Sequence, residues 1–349
     1  MKIQSIHIDK YKVFEDFDID FRNEKGEIQN LIVIAGVNGC GKTTLLKEII
    51  SGVTLNRPKG TISFTDEIPV TMDGQPDFVD AGYKETLESF HSYIKENYNS
   101  LKFYSLEKDY TYDAEQYIVK FIDHLIYNEN FRSFDSYDKV RELMNSIFDG
   151  FQLQIRFDSL NEEKAVFFVN DSGQKFSIND LSSGEKQIIN KLFSLYIGKH
   201  KNKTILIDEP EESLHPSWQY RIAPLYQKFA DDNNCQIILA THSPQIISSV
   251  KVEQIRLLKN YNGKIQVIND FDGSLGWTVD RVLLEIQGVG NRSPEIEKEL
   301  DELSEMIHKN EYESSDFQDR FNKMETLLGS SDRNIILKKL EILRKKDKK

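Results

Sequence analysis

Cysteine is nearly missing from this chain. Cys40 and Cys235 are the only two, and neither lies in a spacing that would ligate a metal, which excludes a cysteine-held metal scaffold. A reducing, cytoplasmic setting is expected. Long apolar runs are missing too. The longest, LIVIA (31–35), is far too short to span a bilayer, and the opening MKIQSIHIDKYK lacks the apolar centre of a signal peptide. No membrane partner is expected. Positive charge is in deficit: the formal net charge is −12, which argues against non-specific nucleic-acid binding over the whole surface but leaves room for a local basic groove or a basic partner. The basic end RKKDKK (344–349) reads either as a solvated helix terminus favourable to the dipole or as a nucleic-acid contact. Internal repeats and low-complexity tracts are absent.

What is there is an ordinary globular balance, 39% apolar and 29% charged, in a chain long enough to bury a sizeable core. FDIDF (17–21) alternates apolar and acidic residues, the period of a half-buried strand. LIVIA is a continuous apolar run, the mark of a strand covered on both faces. It feeds into GVNGCGKTT (36–44), and TTLLKEII follows as a helix. From about 56 to 149 TISFT is strand-like, NRPKG and MDGQPD are turn-rich, and helical spacing further on, as in YIVKFIDHLIY (117–127), predicts a mainly helical insertion. Its Tyr and Phe residues read as packing anchors or as a base-stacking platform. Strands resume at FQLQIRF and AVFFV, and the strands TILIDEP and QIILATHS then alternate with helices, which implies a mainly parallel sheet. In the tail, Ile296/Leu300/Leu303/Ile307, Phe317/Phe321/Met324/Leu328 and Ile335/Ile336/Leu340/Leu343 form three helical stripes. They are expected either to pack on the body or to dock a partner protein.

Gly36-Val-Asn-Gly-Cys-Gly41-Lys42-Thr43 fits G-x-x-x-x-G-K-[ST] between a strand and a helix. Its N–H groups suit phosphate oxygens, Lys42 suits the β- and γ-phosphates, and the Thr43 hydroxyl suits Mg2+. Asn38, Gly39, Gly41, Lys42, Thr43 and Thr44 are the expected cradle for ATP. Cys40 inside it is a small tolerated residue or a redox handle. ILIDEP (205–210) ends an apolar strand in two carboxylates. Asp208 suits Mg2+ and Glu209 suits the attacking water; the competing reading is that they cap the next helix. His242, after QIILA, suits contact with a γ-phosphate, or else simply bonds within its loop. Catalytic candidates are Glu209, His242 and Lys42, and metal candidates are Thr43 and Asp208.

GVNGCGKTT, LSSGEKQ, ILIDEP and ATHSPQ stand in the order and rough spacing of Walker A, signature, Walker B and switch histidine, and in these motifs the chain resembles the ABC-type ATPases. The opening IDKYKVFEDFDIDF is similar to the soluble branch that includes SMC-like repair ATPases. Within it, a compact head and the ending VDRVLLEIQGVGNRSPEIEKELDELSEMI resemble the Septu, retron-associated and overcoming-lysogenization-defect ATPases of bacterial defence. The resemblance implies an α/β head with a mixed β-sheet, built from 1–55 and 150–275. The helical insertion (56–149) and a helical partner-docking segment (276–349) complete it. It implies ATP hydrolysis with Mg2+, and a homodimer or higher even oligomer in which Ser182, Ser183, Gly184 and Glu185 of one copy complete the nucleotide site of the other. It also implies a separate nuclease or other effector, with nucleic acid reached through the complex. A DNA-repair ATPase acting directly on DNA and a nucleotide-gated scaffold with slow turnover are the alternatives. His215, where transporters often carry aspartate, weakens a transporter reading. A Q-loop is not placed: Gln75 and Gln116 follow no clean strand, and LKFYSLEKD (101–109) has the strand-and-loop character without a glutamine. NDFDG, with Asp270 and Asp272, reads as a turn and not as the carboxylates of a nuclease.

Overall fold

A computed structural model of the chain describes residues 2–50, 59–64, 84–88, 101–105, 114–197, 200–269, 271–289 and 292–346. It comprises two units, Met1–Val282 and Leu283–Lys349.

The strands of the first unit are β1 (Ile3–Tyr11), β2 (Phe14–Asp20), β3 (Leu31–Ala35), β4 (Lys59–Phe64), β5 (Lys84–Thr86), β6 (Leu101–Ser105), β7 (Ile155–Leu160), β8 (Val166–Asn170), β9 (Lys175–Ser177), β10 (Thr204–Asp208), β11 (Gln236–Thr241), β12 (Ile255–Tyr261) and β13 (Lys264–Ile268). Its helices are α1 (Thr44–Ile50), α2 (Ala114–Tyr127), α3 (Ser133–Phe151), α4 (Ser183–Ile197), α5 (Pro216–Asp232), α6 (Pro244–Ile247) and the short α7 (Val279–Arg281). A six-stranded sheet runs β13-β12-β3-β11-β10-β6, parallel throughout except for the edge strand β13. An antiparallel sheet, β2-β1-β4-β5, carries the opening strands, and β7-β8-β9 form a third.

The alternation in the opening strands does what its period predicts. Ile6 pairs with Ile19 and Ile8 with Phe17, and these four side chains are buried with Ile32, Ile34, Leu206, Ile238 and Ala240 of the large sheet in one core. β3 is buried at every position, as a strand covered on both faces must be. At full burial each such Ile or Leu contributes about 1.5–3 kcal/mol relative to exposure.

The expected helical insertion contains strands that belong to the large sheets. β4 pairs with β1, Ile62 opposite Ile6 and Phe64 opposite Ile3, because its alternate apolar residues extend the core face of the opening strands. β6 pairs in parallel with β10, Ser105 beside Asp208, so LKFYS is the edge strand of the large sheet. The helical part is α2 and α3, with α2 packed against α4. Residues 65–83, 89–100 and 106–113, and with them Gln75, lie outside the described residues. Gln116 lies in α2.

In the second unit, α8 (Pro294–His308), α9 (Ser315–Leu328) and α10 (Arg333–Lys346) form a core of their own around Leu300, Leu303, Ile307, Phe317, Phe321, Met324 and Ile335. The first two stripes face this core as the spacing predicts. The third does not. On α10 the inward residues are Ile335, Lys338 and Ile342, while Ile336, Leu340 and Leu343 are exposed. The ammonium of Lys338 reaches the Ser304 hydroxyl, so an amphipathic side chain fills a core position and keeps its charge hydrogen-bonded. Lys345 donates to the carbonyls of Ile307 and His308 at 2.8 and 3.0 Å, closing the end of α8. The basic terminus thus contacts a neighbouring helix at this position; residues 347–349 lie outside the described residues. Among the described residues, no helix is long and apolar enough to cross a membrane.

Candidate nucleotide site

Three adjacent parallel strands, β3, β11 and β10, end side by side, Ala35 opposite Thr241 and Ala240 opposite Asp208. The carboxyl edge of such a sheet is where ligands bind, because the loops diverge there. Each strand releases one of the sequence-predicted segments at this edge.

β3 releases the glycine loop. Asn38 and Gly39 form its turn, and Leu45 N–H bonds back to the Gly41 carbonyl at 2.8 Å as α1 begins. Gly41 has φ +94°, and a Cβ there would stand 2.7 Å from the Phe14 ring and 3.0 Å from Val13. The opening β1–β2 turn thus presses on the loop, and only glycine fits. Lys42 is 5% exposed, and its Nζ donates to the carbonyls of Gly36 at 2.9 Å and Val37 at 3.3 Å. Thr44 opens α1. Cys40 is buried, and burial pushes its thiol up, the opposite of a reactive thiolate.

β10 releases the two carboxylates. Thr43 Oγ1 donates to Asp208 Oδ1 at 3.2 Å, so two hard oxygen ligands from separate elements already converge. That is the donor set Mg2+ takes. Burial pushes Asp208 up, opposed by the Thr43 hydroxyl and by Lys42. Glu209 has φ +49°, and its N–H is tied to the Ala240 carbonyl at 2.9 Å. Burial, then the charge of Glu211 and a hydrogen bond with it, push the Glu209 carboxyl up to about 8. Neither carboxylate caps the following helix: α5 is capped by His215, whose Nδ1 accepts from Ser217 N–H at 3.3 Å.

β11 releases His242, whose Nδ1 lies against Glu209 Oε2. Glu209, Glu211 and His242 place ligand atoms within 4.8 Å of one another. Glu211 was not among the sequence candidates. It is 5% exposed, and its Oε1 accepts from the Thr241 hydroxyl and from the N–H groups of His242 and Ser243, both at 2.9 Å. One carboxylate oxygen therefore fixes the whole turn that carries His242. The signal for it in the sequence was the acidic run DEPEE (208–212), in which the third carboxylate sits two residues past Glu209.

The signature residues begin α4. Ser182 N–H and Oγ both donate to Glu185 Oε2 at 2.7 Å, and Glu185 N–H returns to Ser182 Oγ at 3.3 Å. This reciprocal cap fixes the helix start, so Glu185 is engaged in capping. A Cβ on Gly184 would stand 2.6 Å from the Trp218 ring of α5, so this glycine is demanded by its own chain as well as by any anion approaching the helix terminus. In NDFDG, Gly273 N–H bonds to the Phe271 carbonyl at 2.9 Å, and Gly273 has φ +86°, the turn the sequence predicts. Asp270 lies outside the described residues.

A profile of the family described as "AAA domain, putative AbiEii toxin, Type IV TA system" matches residues 82–248. The chain is similar to "Retron Ec83 probable ATPase" of Escherichia coli, 30% identical over 201 residues, 53% of this chain and 36% of the relative. It is also similar to "Septu protein PtuA" of Bacillus thuringiensis, 26% identical over 255 residues, 65% of this chain and 61% of the relative. The chain thus spans between about a third and three fifths of these relatives' length. In fold it matches the crystal structure of an SMC head bound to the C-terminal winged-helix domain of ScpA, with a TM-score of 0.50 and 16% identity over 77% of this chain and 97% of the other. Motif order, strand order and the structural match agree: the chain has the ABC-type P-loop head fold, and in sequence it is similar to retron probable ATPases, to a Septu protein and to an OLD nuclease.

Proposed function

We propose that this chain is the ATP-binding and ATP-hydrolysing subunit of a bacterial antiviral defence complex in the cytoplasm. Two copies, or a higher even number, pair head to tail around ATP and control a separate nuclease or other effector. Nucleic acid is met through that complex. The observation that carries the reading is the meeting of Lys42, Thr43, Asp208, Glu209 and His242 at three neighbouring strand ends, in a chain similar to retron and Septu ATPases. The N–H groups of the 38–44 loop and the Lys42 ammonium hold the β- and γ-phosphates. Thr43 and Asp208 hold Mg2+, which when bound offsets phosphate charge. Glu209 orients the attacking water and takes its proton, giving ADP and phosphate. His242 meets the γ-phosphate from β11. Ser182, Ser183 and Gly184 present hydroxyl and N–H groups at a helix terminus to the nucleotide on the partner, as a two-fold axis requires of both copies.

A nucleotide-gated scaffold with slow turnover is the second reading. It is favoured by Glu209 itself, whose carboxyl, pushed up to about 8, holds its proton near neutral pH and is a poor base until the site rearranges. The Glu209→Gln variant tests both. We expect ATP to be retained, the paired heads to persist on size exclusion, and turnover to fall by about 10²–10⁴-fold, the usual contribution of a general base. A variant that neither accumulates ATP nor changes assembly overturns the assignment of the base. Slow wild-type turnover with undiminished effector control selects the scaffold.

A further inference from the structure

Between the signature helix and the catalytic loop lies a buried cation that the chemistry above does not use. Lys191 sits about two turns into α4 and is 4% exposed. Its Nζ donates to the Pro210 carbonyl at 2.8 Å and to the Glu212 carbonyl. Burial pulls its ammonium down to about 8, against the attraction of Glu211 and Glu212. Desolvating a lysine is costly, and an apolar residue would fill the same space at less expense.

The segment that Lys191 grips, 210–212, also grips the switch loop. Glu211 stands between the two carbonyls that Lys191 binds and holds Thr241, His242 and Ser243 through one oxygen. A second connection runs beside it. Trp218 packs on Gly184 at the head of α4. The next residue, Gln219, accepts from Ser243 Oγ at 2.7 Å and donates to the Leu214 carbonyl at 3.0 Å. Helix α4, the post-β10 segment and the His242 turn are thus joined by short, directional bonds, with planar peptides between them.

We propose that Lys191 is a strut joining the two composite sites: the nucleotide seated on Ser183 and Gly184 from the partner positions α4, and α4 through residues 210–212 positions His242 over the chain's own nucleotide. The inference rests on the head-to-tail reading. Lys191 and Glu211 are positioning residues here, since neither is assigned a contact with substrate.

The test is ATP hydrolysis measured against ATP concentration in wild type and Lys191→Met, with ATP-driven pairing measured for each in a Glu209→Gln background. In a symmetric two-site dimer the Hill coefficient can reach the number of sites. It is expected to fall from near 2 in wild type to about 1 in K191M, while pairing and binding of a fluorescent ATP analogue are retained. Lys191→Gln, which keeps an amide donor for one of the two carbonyls, is expected to lie between them. It is read by the same ratio if K191M unfolds. Unchanged cooperativity in K191M, or a wild type that pairs yet hydrolyses without cooperativity, overturns the strut alone. A wild type that never pairs in ATP overturns the head-to-tail reading and the strut with it.

Discussion

Replacing Glu209 by glutamine should stabilise the folded chain, and by an amount that grows with pH. The carboxyl moves from an ordinary 4.5 to about 8 on folding. Between those values the folded chain keeps a proton that the unfolded chain gives up, so wild-type stability falls as pH rises through the window and levels off above it. Each unit is worth about 1.36 kcal/mol, which sets a ceiling of roughly 5 kcal/mol. The repulsion is shared with Glu211, and 28% of the Glu209 side chain meets solvent, so about 2 kcal/mol is the net expectation. Glutamine carries no such charge. The two proteins should therefore melt together near pH 5 and differ by about 4–8 °C near pH 8.5, with E209Q higher, for a unit of this size. Calorimetry of the nucleotide-free proteins across that range reads the difference directly. A gap that stays constant with pH refutes the claim that burial, with Glu211 beside it, holds Glu209 protonated.

Two further perturbations follow from packing. Gly184→Ala drives a methyl group into Trp218 and should cost about 1–3 kcal/mol in urea unfolding, with much of the loss recovered in the G184A/W218L double variant. Equal losses in single and double variants count against that contact. Phe317→Ala, in the core of the tail unit, should cost about 3–5 kcal/mol there. It should speed amide exchange in α8–α10 while leaving nucleotide affinity intact, and a parallel loss of ATP binding shows the second unit to be needed by the first.

The segments that meet at the carboxyl edge of the sheet were legible because each is local. A continuous apolar strand followed by glycines, or by two carboxylates, or by a histidine, announces itself within ten residues. The residues that were missed work over distance. Glu211 reads as one more acid in an acidic run, and only the fold reveals that β11 turns back across its oxygen. Lys191 carries no local signal, since its partners lie 19 and 21 residues on in the chain. The third tail stripe was misread because Lys338 took a core position. Spacing alone favoured Ile336, Leu340 and Leu343, whereas the hydroxyl of Ser304 on α8 lets a lysine stem replace an aliphatic residue. TISFT and LKFYS have strand character in the sequence, and β4 and β6 are strands; which sheet each one joins is set by its neighbours and not by its own composition.

The ammonium of Lys42 is already occupied by the carbonyls of Gly36 and Val37. An ammonium has three N–H donors, so two are spent on the loop's own backbone and one is left over. The two carbonyls therefore fix where the charge stands, and a substitution that shifts Gly36 or Val37 also shifts the cation.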